Sequence, residues 1–316
     1  MFSSTTTTTR LSSSFFNYFF VIVPLVFSGV ALSEDVRINS VDEFIAFSND
    51  VNSGGNYSGT TVYLEADIDF TGDLSRQFNP IGVNGTNLFQ GTFDGQGHLV
   101  SNLTIETSLQ FVGLFGLSEK AVIRNVIMDS SCSIVSRYEG SDNGYVGGIS
   151  GYCRLSQVSV TGTCRISNSV NLGSVSFDGS TENLLYLGGI VGRICWQVIT
   201  NCANYGAITA SGNVGNNSYV GGIVGMAGGG AGGGLTGQYQ ITNCLNYGII
   251  THRCTSNTSY VGGIAGNGGH STISNCVNCG SFNAITPVNS TGDIVGLENQ
   301  GTKIEKCYSL SEVLIT

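Results

Sequence analysis

Three aspartates pose the first chemical question. Asp67 and Asp69 stand two residues apart in L-E-A-D-I-D, and Asp94 follows in F-D-G. Hydrolysis of a glycosidic bond takes two carboxylates facing each other across the sugar. Polysaccharide lyases need a base, often beside Ca²⁺ held by several carboxylates. These three are the best-spaced acids in a chain whose other acids are sparse. There is no adjacent Asp-Asp pair and no Arg-Lys cluster to hold a uronate. The expectation is therefore structural: Asp67 and Asp69 line a strand edge and Asp94 shapes its turn. His98, in G-Q-G-H, is expected as a turn residue. Trp196, the single tryptophan, cannot by itself make a sugar platform. The run GGGAGGGLTG (228–237) lacks the Gly-Lys-Ser/Thr ending of a phosphate loop and is expected as a flexible insertion. No cofactor is implied.

The chain has ten cysteines. Cys202, Cys244, Cys276 and Cys307 recur at one position of a repeat. They are either a ladder of buried thiols or disulfides between neighbouring coils, although side chains in parallel register point the same way and make that bridge awkward. Cys153 and Cys195 follow successive glycine motifs and are the best disulfide candidates. Only a single C-x-x-C is present, Cys276 to Cys279, so no zinc or other metal site is expected.

Those residues must be positioned by a repeat. One motif recurs six times: FVGLFG (111–116), YVGGISG (145–151), YLGGIVG (186–192), YVGGIVG (219–225), YVGGIAG (260–266) and TGDIVG (291–296). A second follows each copy: IRNVIMD (123–129), ISNSVNLGSVS (166–176), ITNCANYGAIT (199–209), ITNCLNYGIIT (241–251), ISNCVNCGSFN (273–283) and IEKCYSLSEVL (304–314). Two units carry extra residues at the same place, 152–165 and 226–240, as loop insertions do in a solenoid. Short runs of β-branched residues and Tyr, punctuated by Gly and Asn, exclude helical repeats. The units are too short for four-stranded propeller blades. Stacked coils place equivalent residues about 4.8 Å apart. Asn125, Asn168, Asn201, Asn243 and Asn275 then form one column, and Asn171, Asn204, Asn246 and Asn278 a second. Glycine at the corners is expected to supply positive φ or close backbone approach. The fold class is all-β: a right-handed parallel β-helix with a short N-terminal capping helix. In that helix Ser40 is the cap and Phe44, Ile45 and Phe47 supply the buried face.

Composition agrees. The chain has 316 residues, 46 of them glycine, and a net charge of −9. The glycine share is about double the ordinary 7%. An acidic chain with few charges lacks the basic face nucleic acid requires. Residues 1–33 carry an apolar run from Phe15 to Phe27 and then Ala31 and Ser33, the pattern of an export signal cleaved after Ser33 or Ala31. The alternative is an uncleaved signal anchor, the only membrane association expected. Residues 34–110 would form the cap and first coil, and 111–316 the repeat helix. Six N-x-[ST] sequons, Asn56, Asn84, Asn102, Asn216, Asn257 and Asn289, are glycosylation candidates in a secreted or cell-surface protein.

The repeats resemble the GLUG-type repeats of bacterial and protist surface proteins. FVGLFG carries the likeness most directly, and the VGGIxG copies look like the same unit. The opening is similar too: L-x-x-D-I-D, N-P-I-G, F-x-G-T-F-D-G-Q-G-H and V-S-N-L-T-I. The resemblance covers about residues 36–314 and implies the β-helix. Such repeats also accompany an immunoglobulin-A-cleaving metalloprotease family, whose zinc site needs H-E-x-x-H. Here His98, His252 and His270 lack that spacing, so the resemblance implies the repeat region alone. The leading functional expectation is a non-enzymatic adhesion or display scaffold for a host surface, matrix or glycan ligand, with 152–165 and 226–240 as contact loops. The alternatives are a carbohydrate-active enzyme using Asp67, Asp69 or Asp94, and a coat or wall component that associates end to end.

Overall fold

A computed structural model describes residues 35–72, 78–155, 164–195, 197–228, 239–284, 288–299, 301–310 and 313–315. The chain divides into Met1–Leu32 and Ser33–Thr316, and all described residues fall in the second unit. The expected export signal lies outside them. Among the described residues no helix is long and apolar enough to cross a membrane.

The second unit is a parallel β-helix. Five parallel sheets run along it, of nine, eight, eight, six and six strands. One coil shows the plan: Cys164–Ser167, Val170–Asn171, Ser174–Thr181, Leu185–Gly188 and Val191–Ile194, after which Gln197–Thr200 begins the next coil on the first sheet. Each strand pairs in register with its counterpart one coil away. The column Val62, Phe93, Ile123, Ile166, Ile199, Ile241, Ile273 follows from that register, and every member is buried. Each such side chain contributes roughly 1.5–3 kcal/mol by leaving water. The sheets cross residue 110 without a break: Thr104–Thr107 and Phe111–Val112 belong to one coil. Cap and repeat region are therefore continuous.

The corner after the first sheet turns on asparagine. Asn125, Asn168, Asn201, Asn243 and Asn275 have φ between 51 and 56°, and Lys306 takes the same conformation in the following coil. Asparagine tolerates this left-handed geometry better than other non-glycine residues. No glycine of the VGGIxG motifs has positive φ. They are required by close approach. A Cβ on Gly222 would lie 2.1 Å from the Gly263 carbonyl oxygen and 2.4 Å from Cγ of Asn246. The second motif glycine thus makes room for the inner asparagine column. Where that glycine is absent, at Leu114, the column holds Met128 in register with Asn171.

The helix α1, Val41–Asn52, closes the first coil. Ser40 caps it by accepting from the Glu43 N–H at 3.3 Å, and Glu43 reaches back to the Asn39 N–H. Phe44, Phe47, Ser48 and Val51 form its buried stripe, while Ile45 is half-buried. Phe44 stacks on Phe78 at 5.1 Å and Phe47 meets Phe89 edge-on at 5.7 Å.

Candidate functional site

The three aspartates are built into the wall. Asp67 accepts from the Leu99 N–H at 2.9 Å and faces Nδ1 of His98 at 3.0 Å. The Leu99 bond first, then His98, holds its carboxyl below the usual range. Asp69 accepts from the Thr71 hydroxyl, the Thr71 N–H and the Asn102 amide at 2.6–2.9 Å. Those bonds, Thr71 foremost, lower it to about 2. Asp94 is buried. Burial acts to raise its pKa, but bonds from Asn125, Gln96 and Arg124 outweigh that and leave it lowered. All three are ionised acceptors at neutral pH, so none is poised to give a proton to a leaving group. His98 sits against Asp67 in the turn expected for it.

Asp94 has a role the sequence did not announce. The outer asparagine column is an amide ladder: Asn243 donates to Asn201, Asn201 to Asn168, Asn168 to Asn125, and Asn125 to Asp94. Asp94 is the terminal acceptor. The inner column donates the other way, Asn171 to Asn204 to Asn246 to Asn278 at 2.9–3.0 Å, and is fully buried.

The cysteines correct one expectation. Cys153 is bonded to Cys164, not Cys195. The chain returning from the first insertion brings Cys164 to a Cα separation of 6.6 Å, and the bridge closes the neck of that loop. Cys195 stands one residue past Ile194, the register partner of Cys153; its N–H donates to the Cys153 carbonyl, and it keeps a buried thiol. Cys202, Cys244, Cys276 and Cys307 are free thiols. Each sits at the corner after a first-sheet strand and contacts the carbonyl of that strand's last residue, two positions back. Cys202, Cys244 and Cys276 are buried as in the thiol ladder, whereas Cys307 is half-buried.

The sequons differ in geometry. Asn56 and Asn84 are exposed and use Oδ1 in local turns, and Asn216 is exposed. The Asn102 and Asn257 amide nitrogens, the atoms that would carry a glycan, already donate, to Asp69 and to the Gly215 carbonyl. Asn216 and Asn257 share a register position, whereas Asn289 is aligned with Ser259 and accepts its N–H. Of the expected contact loops 152–165 and 226–240, residues 156–163 and 229–238 lie outside the described residues, as does Trp196, and the described flanks belong to or adjoin the strands Ser150–Arg154, Cys164–Ser167, Val224–Ala227 and Tyr239–Thr242.

A second apolar cluster, separate from the main core, is the feature sequence reasoning missed. The first residue of five of the six motifs forms a column: Phe111, Tyr145, Tyr186, Tyr219 and Tyr260 stack with ring separations of 5.0, 5.2, 5.6 and 5.5 Å. Across the glycine corner, Tyr152, Arg193, Met226 and Leu297 pack against them. Tyr152 stacks on Tyr145 at 4.7 Å. The Arg193 guanidinium lies over Tyr186 at 5.0 Å and Tyr152 at 5.5 Å. Asn143 and Asn217 donate to the hydroxyls of Tyr145 and Tyr219. Burial raises the phenol pKa of Tyr186, so it stays protonated. The signal was the aromatic at the head of five of the six motifs.

No family model matches the chain. Halomucin of Haloquadratum walsbyi (strain DSM 16790 / HBSQ001) is 33% identical over 157 residues, 46% of this chain. The chain spans only 2% of that relative's length. Among solved structures, the chain is similar to a Bacteroides ovatus protein provisionally assigned as an immunoglobulin A1 protease. The TM-score is 0.64 at 23% identity, covering 88% of this chain and 77% of that one. That likeness is one of fold, and it agrees with the parallel β-helix.

Proposed function

We propose that this protein is a secreted or cell-surface β-helix that binds and displays without catalysis. The supporting observation is that the acids suited to polysaccharide cleavage are spent as wall acceptors in a rigid stack. Rigid stacking fixes the spacing of whatever the coils display. The local likeness to halomucin supports an extracellular setting. The purified chain is to be screened on a glycan array and on intact cells, with polysaccharide digestion assayed in parallel. Retention on at least one surface with no new reducing or unsaturated ends is expected. Turnover that Asp94→Ala abolishes would replace this reading with the enzymatic one.

A further inference from the structure

An exposed polar cleft of about 430 Å³ lies at one corner of three successive coils. Its walls are residues 180–182, 213–215 and 255–257. Register makes these the same position three times. Ser180 pairs with Asn213, Thr181 with Val214, and Asn213 with Thr255. Gly215 therefore stands between Glu182 and Asn257. A Cβ on Gly215 would lie 2.4 Å from the Glu182 carbonyl oxygen, so the middle coil adds no side chain here. The result is a notch with a carboxylate on one side and an amide on the other, two coil steps or roughly 9–10 Å apart. Glu182, Asn213, Gly215 and Asn257 are exposed, and Ser180 and Ser256 are half-buried.

The notch keeps hydrogen-bonding capacity unspent. The Glu182 carboxylate and the Ser180 hydroxyl have no partner among the described residues. Asn213 accepts from the Thr255 hydroxyl at 2.7 Å, which leaves its amide N–H groups to donate. Asn257 donates to the Gly215 carbonyl at 2.8 Å, which leaves its oxygen to accept. The floor is fixed from behind. Ser256 shares hydrogen bonds with Ser259 at 2.5 Å and Ser218 at 3.3 Å, and Ser218 with Nε2 of His252 at 2.9 Å. These groups select a ligand class. Glu182 is the only charged residue of the lining, so an anion meets repulsion and no cation. A divalent metal takes about six to eight oxygens, several from carboxylates, and the cleft has one carboxylate. A peptide ordinarily adds main-chain bonds at a free sheet edge. Here Ile208–Val214 is paired on both sides, with Ser174–Thr181 and with Ile250–His252. A neutral sugar needs none of these. Its hydroxyls both donate and accept, and a carboxylate takes charge-assisted bonds from them.

We propose that the notch at Gly215 is a binding site for an uncharged sugar unit, with Glu182 as its principal acceptor and Asn213 as a donor. This rests on the binding-scaffold reading and names its site and ligand class. The test titrates the full chain by calorimetry, in EDTA, with maltotriose, cellotriose, mannotriose and triacetylchitotriose, and with trigalacturonate as the charged comparison. At least one neutral trisaccharide is expected to saturate with a Kd below about 1 mM. Trigalacturonate is expected to bind at least about tenfold more weakly than that sugar. Glu182→Gln trades charge-assisted hydrogen bonds for ordinary ones and should weaken neutral-sugar binding about tenfold. Glu298→Gln, at an exposed acid outside the cleft, should leave it unchanged. The sugar should also shift the side-chain amide resonances of Asn213 with the same Kd. No saturation by any neutral trisaccharide, tighter binding of trigalacturonate, or undiminished binding by Glu182→Gln overturns the proposal. Cell or array binding that survives alongside such a result leaves the scaffold reading standing, whereas absence of all binding removes both.

Discussion

At the scale of single residues, recurrence and partnership are different kinds of information. The asparagine columns are legible in the sequence because a stack repeats what it needs in every coil. The partner that ends a column is not, because it stands where the repeat stops. Asp94 illustrates this. In sequence it belongs to F-D-G and looks like turn chemistry or half of a catalytic pair. In the structure it terminates an amide ladder and pairs with Arg124 at 2.8 Å. The consequence is measurable. Asp94→Asn keeps an acceptor for Asn125 and loses mainly the ion pair, for a cost of about 1 kcal/mol. Asp94→Ala leaves donors of Asn125, Gln96 and Arg124 without their acceptor, for about 3 kcal/mol. Urea unfolding of the two variants should separate them by that difference, and equal losses would mean that the ladder does not depend on its terminal acceptor. Arg193 shows the converse. It occurs once, so no periodicity marks it, and its meaning depends on which rings the register brings beside it.

At the scale of elements, the fold was readable wherever a residue type has one physical reason to recur, and left open where it has two. Short alternating runs gave the strands, and the first-sheet Ile column confirms their register. The glycines were recognisable as corners, but their reason was close approach, a property of the neighbouring coil that no local pattern contains. The disulfide was misplaced because Cys153 and Cys195 are only near-equivalent: the register partner of Cys153 is Ile194, and the return of an insertion decides the bond. The capping helix was legible from its cap and its 3–4 spacing. It also carries a prediction. Phe44 is fully buried against Phe47, Phe70, Phe78 and Phe93. Phe44→Ala should cost about 3–5 kcal/mol, and Ser40→Ala about 1 kcal/mol. In a quasi-one-dimensional stack such damage stays near its origin. Hydrogen exchange in Phe44→Ala should therefore accelerate in Val36–Leu64 and leave Gln197–Thr200 and Tyr239–Thr242 protected. Uniform loss along the chain would show a cooperative core instead.

At the scale of the whole molecule, one buried titratable group ties the stability of the stack to pH. His252 is 1% exposed, and its Nε2 lies 2.9 Å from Oγ of Ser218, itself buried. Burial lowers its pKa from 6.5 to about 4. The unfolded chain therefore takes up a proton near pH 6.5 that the folded chain refuses until about pH 4. Between those values the unfolded state binds more protons, so stability falls as pH falls. The loss begins near pH 6.5, is complete once the folded imidazole itself protonates, and amounts to about 3 kcal/mol. Above pH 6.5 this group contributes no slope. Asp69 acts in a lower window. Its carboxyl is depressed from 3.8 to about 2, so its contribution is present above the unfolded value and disappears as pH drops from there toward 2. Melting temperature measured from pH 8 to pH 3 should thus be flat, then decline from about 6.5 downward. His252→Gln, which cannot titrate, should flatten the stretch between 6.5 and 4 and leave the steeper acid limb unchanged. A wild-type curve that stays level down to pH 4.5 would mean that the folded chain admits the imidazolium, and that this part of the interior is more open to water than its burial indicates.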